Sequence, residues 1–459
     1  MKVNPNIFRE YDVRGVADRD LTDETVTLLG RAFGTMARRK GLKDVLVGMD
    51  NRYSSPRLNQ ALTEGLTASG CSVRELGTVV TPILYYSRVL YDNEAAVMIT
   101  GSHNPSEDNG FKMALGNSTI YGDQIQELRR LIEAGDFEAG QGGKSSSDPV
   151  PEYLSMLREK ISLGPKKLKV AVDCGNGTAS YFAADIISSF GCKVLDLYCQ
   201  PDPSFPNHHP DPVKRKNLTD IISLVQKEGA DLGVAFDGDA DRIGVVDDKG
   251  TVIWGDQLMA IFWKEILEKH PGAPAIIEVK CSQSLVDEVT RLGGRPVFYR
   301  TGHSLIKAKM KELEAPFTGE MSGHIFFADE YYGYDDAFYA AGRLLRLLSH
   351  TDEPLSALVE RLPLYYSTAE TRVPCPDEEK FRVVEKLQDY FRGKYEVIDV
   401  DGVRVLFGDG WGLVRASNTQ PVLVARCEAR TPERLQEIAD TMKGAMEKYP
   451  QVSPFQWEY

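Results

Sequence analysis

Cysteine is scarce in this chain. The seven cysteines in 459 residues form no C-x-x-C pair and are odd in number. This argues against a disulfide framework or a zinc ribbon and for reduced, mostly buried thiols. Positive charge is also in short supply: 54 Lys and Arg stand against 67 Asp and Glu, a net charge of −13. That balance speaks against a broad nucleic-acid or anionic-membrane surface and leaves room only for a local basic pocket. No run of eighteen apolar residues occurs, so no membrane-spanning helix is expected. The start, Met1-Lys2-Val3-Asn4-Pro5-Asn6, lacks the apolar core of a secretory signal. The expectation is a cytoplasmic protein with neither membrane nor nucleic acid among its partners. The remaining composition, 42% apolar and 26% charged, is ordinary for a globular chain. At about 150 residues per domain, the length makes roughly three domains.

One block recurs three times in weak form. Each copy opens on an apolar strand: Asp44-Val45-Leu46-Val47-Gly48-Met49-Asp50, Lys169-Val170-Ala171-Val172-Asp173, and Ala275-Ile276-Ile277-Glu278-Val279-Lys280. A helical pattern and a second short strand follow, then a third strand running into a polar loop. The three loops are Thr100-Gly101-Ser102-His103-Asn104-Pro105, Asp237-Gly238-Asp239-Ala240-Asp241-Arg242, and Gly319-Glu320-Met321-Ser322-Gly323-His324. Strands separated by helices predict parallel sheets with helices on their faces. The fourth strand of each copy follows too soon for a helical crossover and is expected to run antiparallel. Ligands in such sheets bind beyond the carboxyl ends of the parallel strands, which is where the polar loops fall. Beyond residue 364 the pattern changes to strand-rich stretches and a terminal helix, a smaller α+β domain. The Gly140 to Pro149 stretch reads as a linker by composition.

The middle loop places carboxylates at i, i+2 and i+4. On an extended backbone these side chains share one face, so Asp237, Asp239 and Asp241 can converge on a hard divalent cation. A solvated acidic turn is the plain alternative. Ser102 suits a nucleophile, a phosphate carrier or a turn; the G-x-S-x-G elbow is absent, with Thr100 and Asn104 in place of its glycines. His103, its sequence neighbour, is expected to point elsewhere. Arg415-Ala416-Ser417-Asn418-Thr419 gathers a guanidinium, hydroxyls and an amide, an inventory suited to phosphate or to a polar hairpin. Asp237 to Asp248 imitates a calcium loop, but its sixth position is Arg242, its twelfth is Asp248 and its flanks read as strands. Gly175-Asn176-Gly177-Thr178-Ala179-Ser180 imitates a dinucleotide fingerprint, with Ser180 where Gly or Ala is wanted. His208-His209, between Pro206 and Pro210, reads as a rigid loop rather than a metal site.

Those four loops, in this order, resemble the motifs of the α-D-phosphohexomutase family, in its phosphomannomutase/phosphoglucomutase branch. Glu10-Tyr11-Asp12-Val13-Arg14-Gly15 and Asn109-Gly110-Phe111-Lys112 add to the match. The resemblance implies a heart-shaped α/β protein around a central cleft: three similar α/β domains with mixed four-stranded sheets, plus a C-terminal α+β domain. The expected boundaries are 1–148 (phosphoserine), 149–251 (metal), 252–363 (sugar recognition) and 364–459 (phosphate binding). It implies an isomerase that interconverts hexose 1-phosphate and hexose 6-phosphate, of mannose or glucose, through phosphoSer102 and a 1,6-bisphosphate. The implied cofactors are Mg2+, on Asp237, Asp239, Asp241 and Ser102, and glucose or mannose 1,6-bisphosphate as activator. Lys112, His324, His303 and Arg14 are the implied acid/base candidates, with Arg14 disfavoured because a guanidinium rarely deprotonates. Tyr11, Arg242, Lys280, Glu320, Ser322, Arg415, Ser417, Asn418 and Thr419 are the implied contacts to sugar phosphates. Met321 stands where the phosphoglucosamine mutase branch usually carries Gln, which favours glucose and mannose. Phosphoglucosamine mutase and a non-catalytic sugar-phosphate-binding protein are the competing readings. A monomer or a homodimer is expected.

Overall fold

The computed structural model describes residues 3–418 and 420–458. Thr419, one of the phosphate-loop candidates, lies outside the described residues. The chain divides into two compact units, Met1–Gly255 with Ser322–Leu358, and Asp256–Met321 with Val359–Tyr459.

In the first unit, Asp44–Met49 lies between the parallel strands Ser72–Thr78 and Ala95–Ile99. All five residues of Ala95–Ile99 are buried, as befits a strand covered on both faces. Asp108–Leu115 pairs antiparallel with Ala95–Ile99, because the short connection between them cannot hold a crossover. This four-strand core is extended by Val13–Val16, Lys144–Ser146 and Ser118–Thr119. A second sheet repeats the plan: Lys169–Asp173 pairs parallel with Lys193–Leu197 and Leu232–Phe236, and Ile243–Asp247 returns antiparallel. The flanks of the acidic hexapeptide are thus strands, as its failure to match a calcium loop implied.

The Gly140 to Pro149 stretch is not a free linker. Lys144–Ser146 pairs with Val73–Glu75, and the amides of Gly140 and Gly142 donate to the carbonyls of Ala68 and Thr67 at 3.0 Å. Composition marked glycines that serve close backbone packing, not flexibility.

In the second unit, Pro274–Glu278 pairs parallel with Arg295–Tyr299 and Phe317–Gly319. The C-terminal sheet runs antiparallel through Glu396–Ile398, Val403–Leu406, Gly410–Ala416 and Val422–Ala429. Alternation assigns its two faces. Val403, Val405 and Val414 pack beneath the helices Asp377–Arg392 and Pro432–Met446, while Trp411 and Leu413 pack against Val279. Arg404, on the Trp411 face and fully buried, donates to the carbonyls of Val279 and Cys281 at 2.8 and 2.7 Å. Its guanidinium lies 3.8 Å from the Trp411 ring centroid, and burial pushes its pKa down to about 10.

Candidate active site

The first unit brings the serine and the three aspartates together. Ser102 follows the strand Ala95–Ile99, Asp237 follows Leu232–Phe236, and Ser102 Oγ donates to Asp237 Oδ2 at 2.8 Å. Ser102 is buried and sits at φ +50°, a left-handed conformation that costs a serine about 1–3 kcal/mol unless its surroundings impose it. They do. Arg52 is 2% exposed and donates to the carbonyls of Ser102 (2.8 Å), Asn104 (2.7 Å), Asp108 (3.0 Å) and Pro105, while its Nε holds Asp50 at 3.1 Å. The Ser102 amide donates to Thr100 Oγ1 at 2.8 Å. Arg14, on the strand Val13–Val16, reaches Asn104 Oδ1 of the same loop at 3.0 Å.

His103 does not point away. Its Nδ1 lies 3.0 Å from Ser102 Oγ. The expectation of divergence assumed ordinary backbone; the left-handed turn at Ser102 swings both side chains to one side. Burial, then the cations Arg242, Arg14 and Lys112, push the His103 pKa well below the usual value, which favours the neutral ring.

The aspartates converge, but not by strand alternation. Asp237 to Arg242 is a turn, with Ala240 at φ +57° and the Ala240 amide donating to the Asp237 carbonyl at 3.1 Å. All three carboxylates are fully buried, and one oxygen from each lies within 4.8 Å of the others. Oδ1 of Asp239 and Oδ1 of Asp241 are buried without a hydrogen-bond partner among the described residues. Three hard oxygen donors, two of them awaiting a partner, fit Mg2+. Burial and then Asp239 and Asp241 push the Asp237 pKa well up. For Asp241, burial is outweighed by Lys112 and His324, and its pKa falls.

Lys112, on the strand Asp108–Leu115, supplies the balancing charge. Its Nζ lies 2.6 Å from Asp239 Oδ2 and also bonds Asp241 Oδ2. Burial opposes this ammonium, but Asp239 and Asp241 raise its pKa well above the ordinary value. Two tight approaches fix the loops. A Cβ on Gly238 would stand 2.3 Å from the Ser102 carbonyl, and one on Gly323 would stand 2.4 Å from that of Ile243.

His324 is buried beside this cluster. Arg242 Nε donates to its Nε2 at 2.9 Å, and Asp335 Oδ2 lies 2.9 Å from its Nδ1. A guanidinium only donates, so Nε2 is the accepting nitrogen in that contact. Arg52, Asp335 and Thr81, whose Oγ1 bonds Asp239 Oδ2, escaped the sequence reading. Arg52 and Thr81 left only a positional signal, each just beyond the carboxyl end of a parallel strand.

The second unit holds another group. Glu320 accepts from the Gly302 amide at 2.8 Å, just before the helix His303–Glu312. Glu278 accepts from Thr301 Oγ1 at 2.7 Å and from the Met321 amide at 3.1 Å. Lys280 Nζ lies 3.3 Å from Glu278 and 3.1 Å from Glu370; Lys280 holds the Glu370 pKa down at about 2. Arg415 Nε donates to Asp401 Oδ2 at 3.0 Å, the oxygen that also accepts from the Thr301 amide at 3.1 Å. Ser417 is buried, and Asn418, Tyr11 and Ser322 are part-buried. Outside both groups, His208 Nε2 lies 3.0 Å from Asp173 Oδ2, in keeping with a structural loop.

Comparison with known proteins places this arrangement. Residues 5–139, 151–250 and 254–366 match the phosphoglucomutase/phosphomannomutase alpha/beta/alpha domains I, II and III, and residues 370–445 match the C-terminal domain. The class is therefore a threefold α/β/α repeat followed by a distinct C-terminal domain. A phosphomannomutase/phosphoglucomutase of Pseudomonas aeruginosa is 46% identical over 442 residues, 96% of this chain and 95% of that protein. A phosphoglucomutase of Neisseria meningitidis is 41% identical over 452 residues, 97% and 98% of the two chains. The crystal structure of a phosphoglucomutase/phosphomannomutase family protein from Burkholderia thailandensis superposes with a TM-score of 0.94 at 40% identity, covering 99% of this chain and all of the other. The chain belongs to the phosphoglucomutase/phosphomannomutase family.

Proposed function

We propose that the protein is a magnesium-dependent phosphohexomutase, interconverting the 1- and 6-phosphates of glucose and mannose. The observation that carries the reading is Ser102 Oγ, held in a strained turn 2.8 Å from a buried carboxylate cluster in a chain of this family. PhosphoSer102 donates its phosphoryl group to the free sugar hydroxyl, giving a 1,6-bisphosphate, which returns its other phosphate to Ser102 after turning over. Glucose or mannose 1,6-bisphosphate then primes an enzyme that has lost its phosphate. Mg2+ bound by Asp237, Asp239 and Asp241 supplies Lewis-acid charge at the phosphoryl oxygens.

Phosphoryl transfer depends on positioning and charge neutralisation more than on covalent assistance. Arg52 positions the serine, and Lys112 and Arg242 bring positive charge to the transferring group. Asp237 and His103 both lie within hydrogen-bond reach of the Ser102 hydroxyl. A neutral His103 accepts the proton and gives it back. The sugar hydroxyl gives its proton to one of Lys112, His324, His303 or Arg14. Glu320 and Ser322 bond sugar hydroxyls. Arg415, Ser417, Asn418 and Thr419 hold the phosphate that is not transferring, and Tyr11 and Lys280 are further substrate contacts. These roles fall to domains spanning 1–148, 149–251, 252–363 and 364–459, in a protein that acts as a monomer or homodimer in the cytoplasm.

A coupled assay comparing glucose 1-phosphate, mannose 1-phosphate and glucosamine 1-phosphate, with magnesium or chelator, tests the reading. The expected result is magnesium-dependent turnover of glucose and mannose. Faster turnover of glucosamine would move the chain to the phosphoglucosamine branch, and no turnover of any would favour a binding protein.

A further inference from the structure

We propose that Cys174 and Cys199 are a site of reversible intramolecular disulfide formation. Their Sγ atoms lie 3.2 Å apart, about 1.2 Å beyond the length of an S–S bond. The fold sets them there. Lys169–Asp173 and Lys193–Leu197 pair in parallel with Asp173 opposite Leu197, and the ladder continues as Cys174 N donates to the Leu197 carbonyl at 3.2 Å. Tyr198 then takes φ +52°, and this left-handed turn lays Cys199 against Cys174. Nothing in their spacing of twenty-five positions announces the contact.

Cys174 is buried and Cys199 is part-exposed, so an oxidant meets Cys199 first. With hydrogen peroxide as oxidant, the Cys199 sulfur displaces hydroxide from the peroxide and becomes a sulfenic acid. The Cys174 sulfur attacks that sulfur, the S–S bond forms and a second hydroxide leaves. The two thiol protons convert both hydroxides to water, so two thiols lose two electrons and one peroxide gains them. Cys199 Sγ also lies within hydrogen-bond reach of the carbonyls of Val172 and Leu197, at 3.5 and 3.4 Å.

The cross-link bears on the acidic loop through Gly175 to Thr178. The Thr178 amide donates to the Gly238 carbonyl at 2.9 Å, and Thr178 Oγ1 accepts from the Asn51 amide at 3.0 Å. A Cβ on Gly177 would stand 3.0 Å from Gly238 Cα, so there is little slack between the two loops.

The test exposes the whole protein to excess hydrogen peroxide, quenches it, and alkylates the remaining thiols. The expected result is protection of two of the seven thiols, a mass loss of about 2 Da, and a non-reduced peptide joining the Cys174 and Cys199 segments. Dithiothreitol reverses all three, and a Cys199→Ser variant, changed only at a part-exposed position, shows none. Complete alkylation of both cysteines after oxidant, oxygen adducts on Cys199 with no joined peptide, or a cross-link that survives Cys199→Ser would each overturn the proposal.

Discussion

Lys112→Met is the most revealing perturbation of the acidic site. The change keeps an unbranched stem and removes the ammonium that lies 2.6 Å from Asp239 and also bonds Asp241. Three fully buried carboxylates then have lost their nearest cation. Breaking a buried pair by removing one partner costs about 3–5 kcal/mol. For a unit of this size that lowers the unfolding midpoint by on the order of 10 °C. A bound divalent cation restores the balance, and a ligand at a hundred times its dissociation constant adds about 2.7 kcal/mol. The variant meets that cation with an uncompensated cluster, so magnesium raises its midpoint more than it raises that of the wild type. The assay is thermal unfolding of both proteins in chelator and in saturating magnesium. Equal midpoints in chelator, or a gap that magnesium leaves unchanged, would refute the reasoning.

Three other outcomes follow from the same geometry. Gly238→Ala drives a methyl group to within 2.3 Å of the Ser102 carbonyl and separates serine from cluster, so kcat is expected to fall by about a hundredfold or more with the fold retained by circular dichroism. Asp335→Asn takes from the His324 ring the nearer of its two carboxylates, and we expect a drop in kcat larger than any rise in KM, measured by initial rates. Asp336 is buried, caps the helix Ala337–Ser349, and has its pKa pushed up to about 6, first by burial. A raised carboxylate pKa favours the protonated native state, so its contribution is full below the unfolded pKa and is lost as pH rises to about 6. Urea unfolding should show Asp336→Asn gaining about 2 kcal/mol on the wild type between pH 4 and pH 7; parallel pH profiles would count against this.

The strands were legible because covered strands are apolar throughout, as at Ala95–Ile99 and Leu232–Phe236. The antiparallel returns of Asp108–Leu115 and Ile243–Asp247 followed from connection length alone. The convergence of the three aspartates was readable, yet for the wrong geometric reason: a turn at Ala240 gathers them, and the sequence carries no mark of that positive φ. The same blindness hid His103, whose direction depends on the backbone at Ser102. Asp335 and the Cys174–Cys199 contact stayed invisible because each acts on a partner that only the fold delivers, and the position of Arg52 beyond a parallel strand gave no hint of its four carbonyl partners. The Gly140 to Pro149 stretch does connect the matched domains I and II, but its glycines serve close packing as well as freedom.

The central claim is that Ser102 carries the phosphate. Incubating the protein with glucose 1,6-bisphosphate and magnesium, then mapping its peptides by mass, tests it directly. The account predicts a single phosphate on Ser102, exchanged for that of isotopically labelled glucose 1-phosphate when this is added, and absent from Ser102→Ala, which has no mutase activity. Phosphate on another residue, or a Ser102→Ala variant with wild-type turnover, would contradict it.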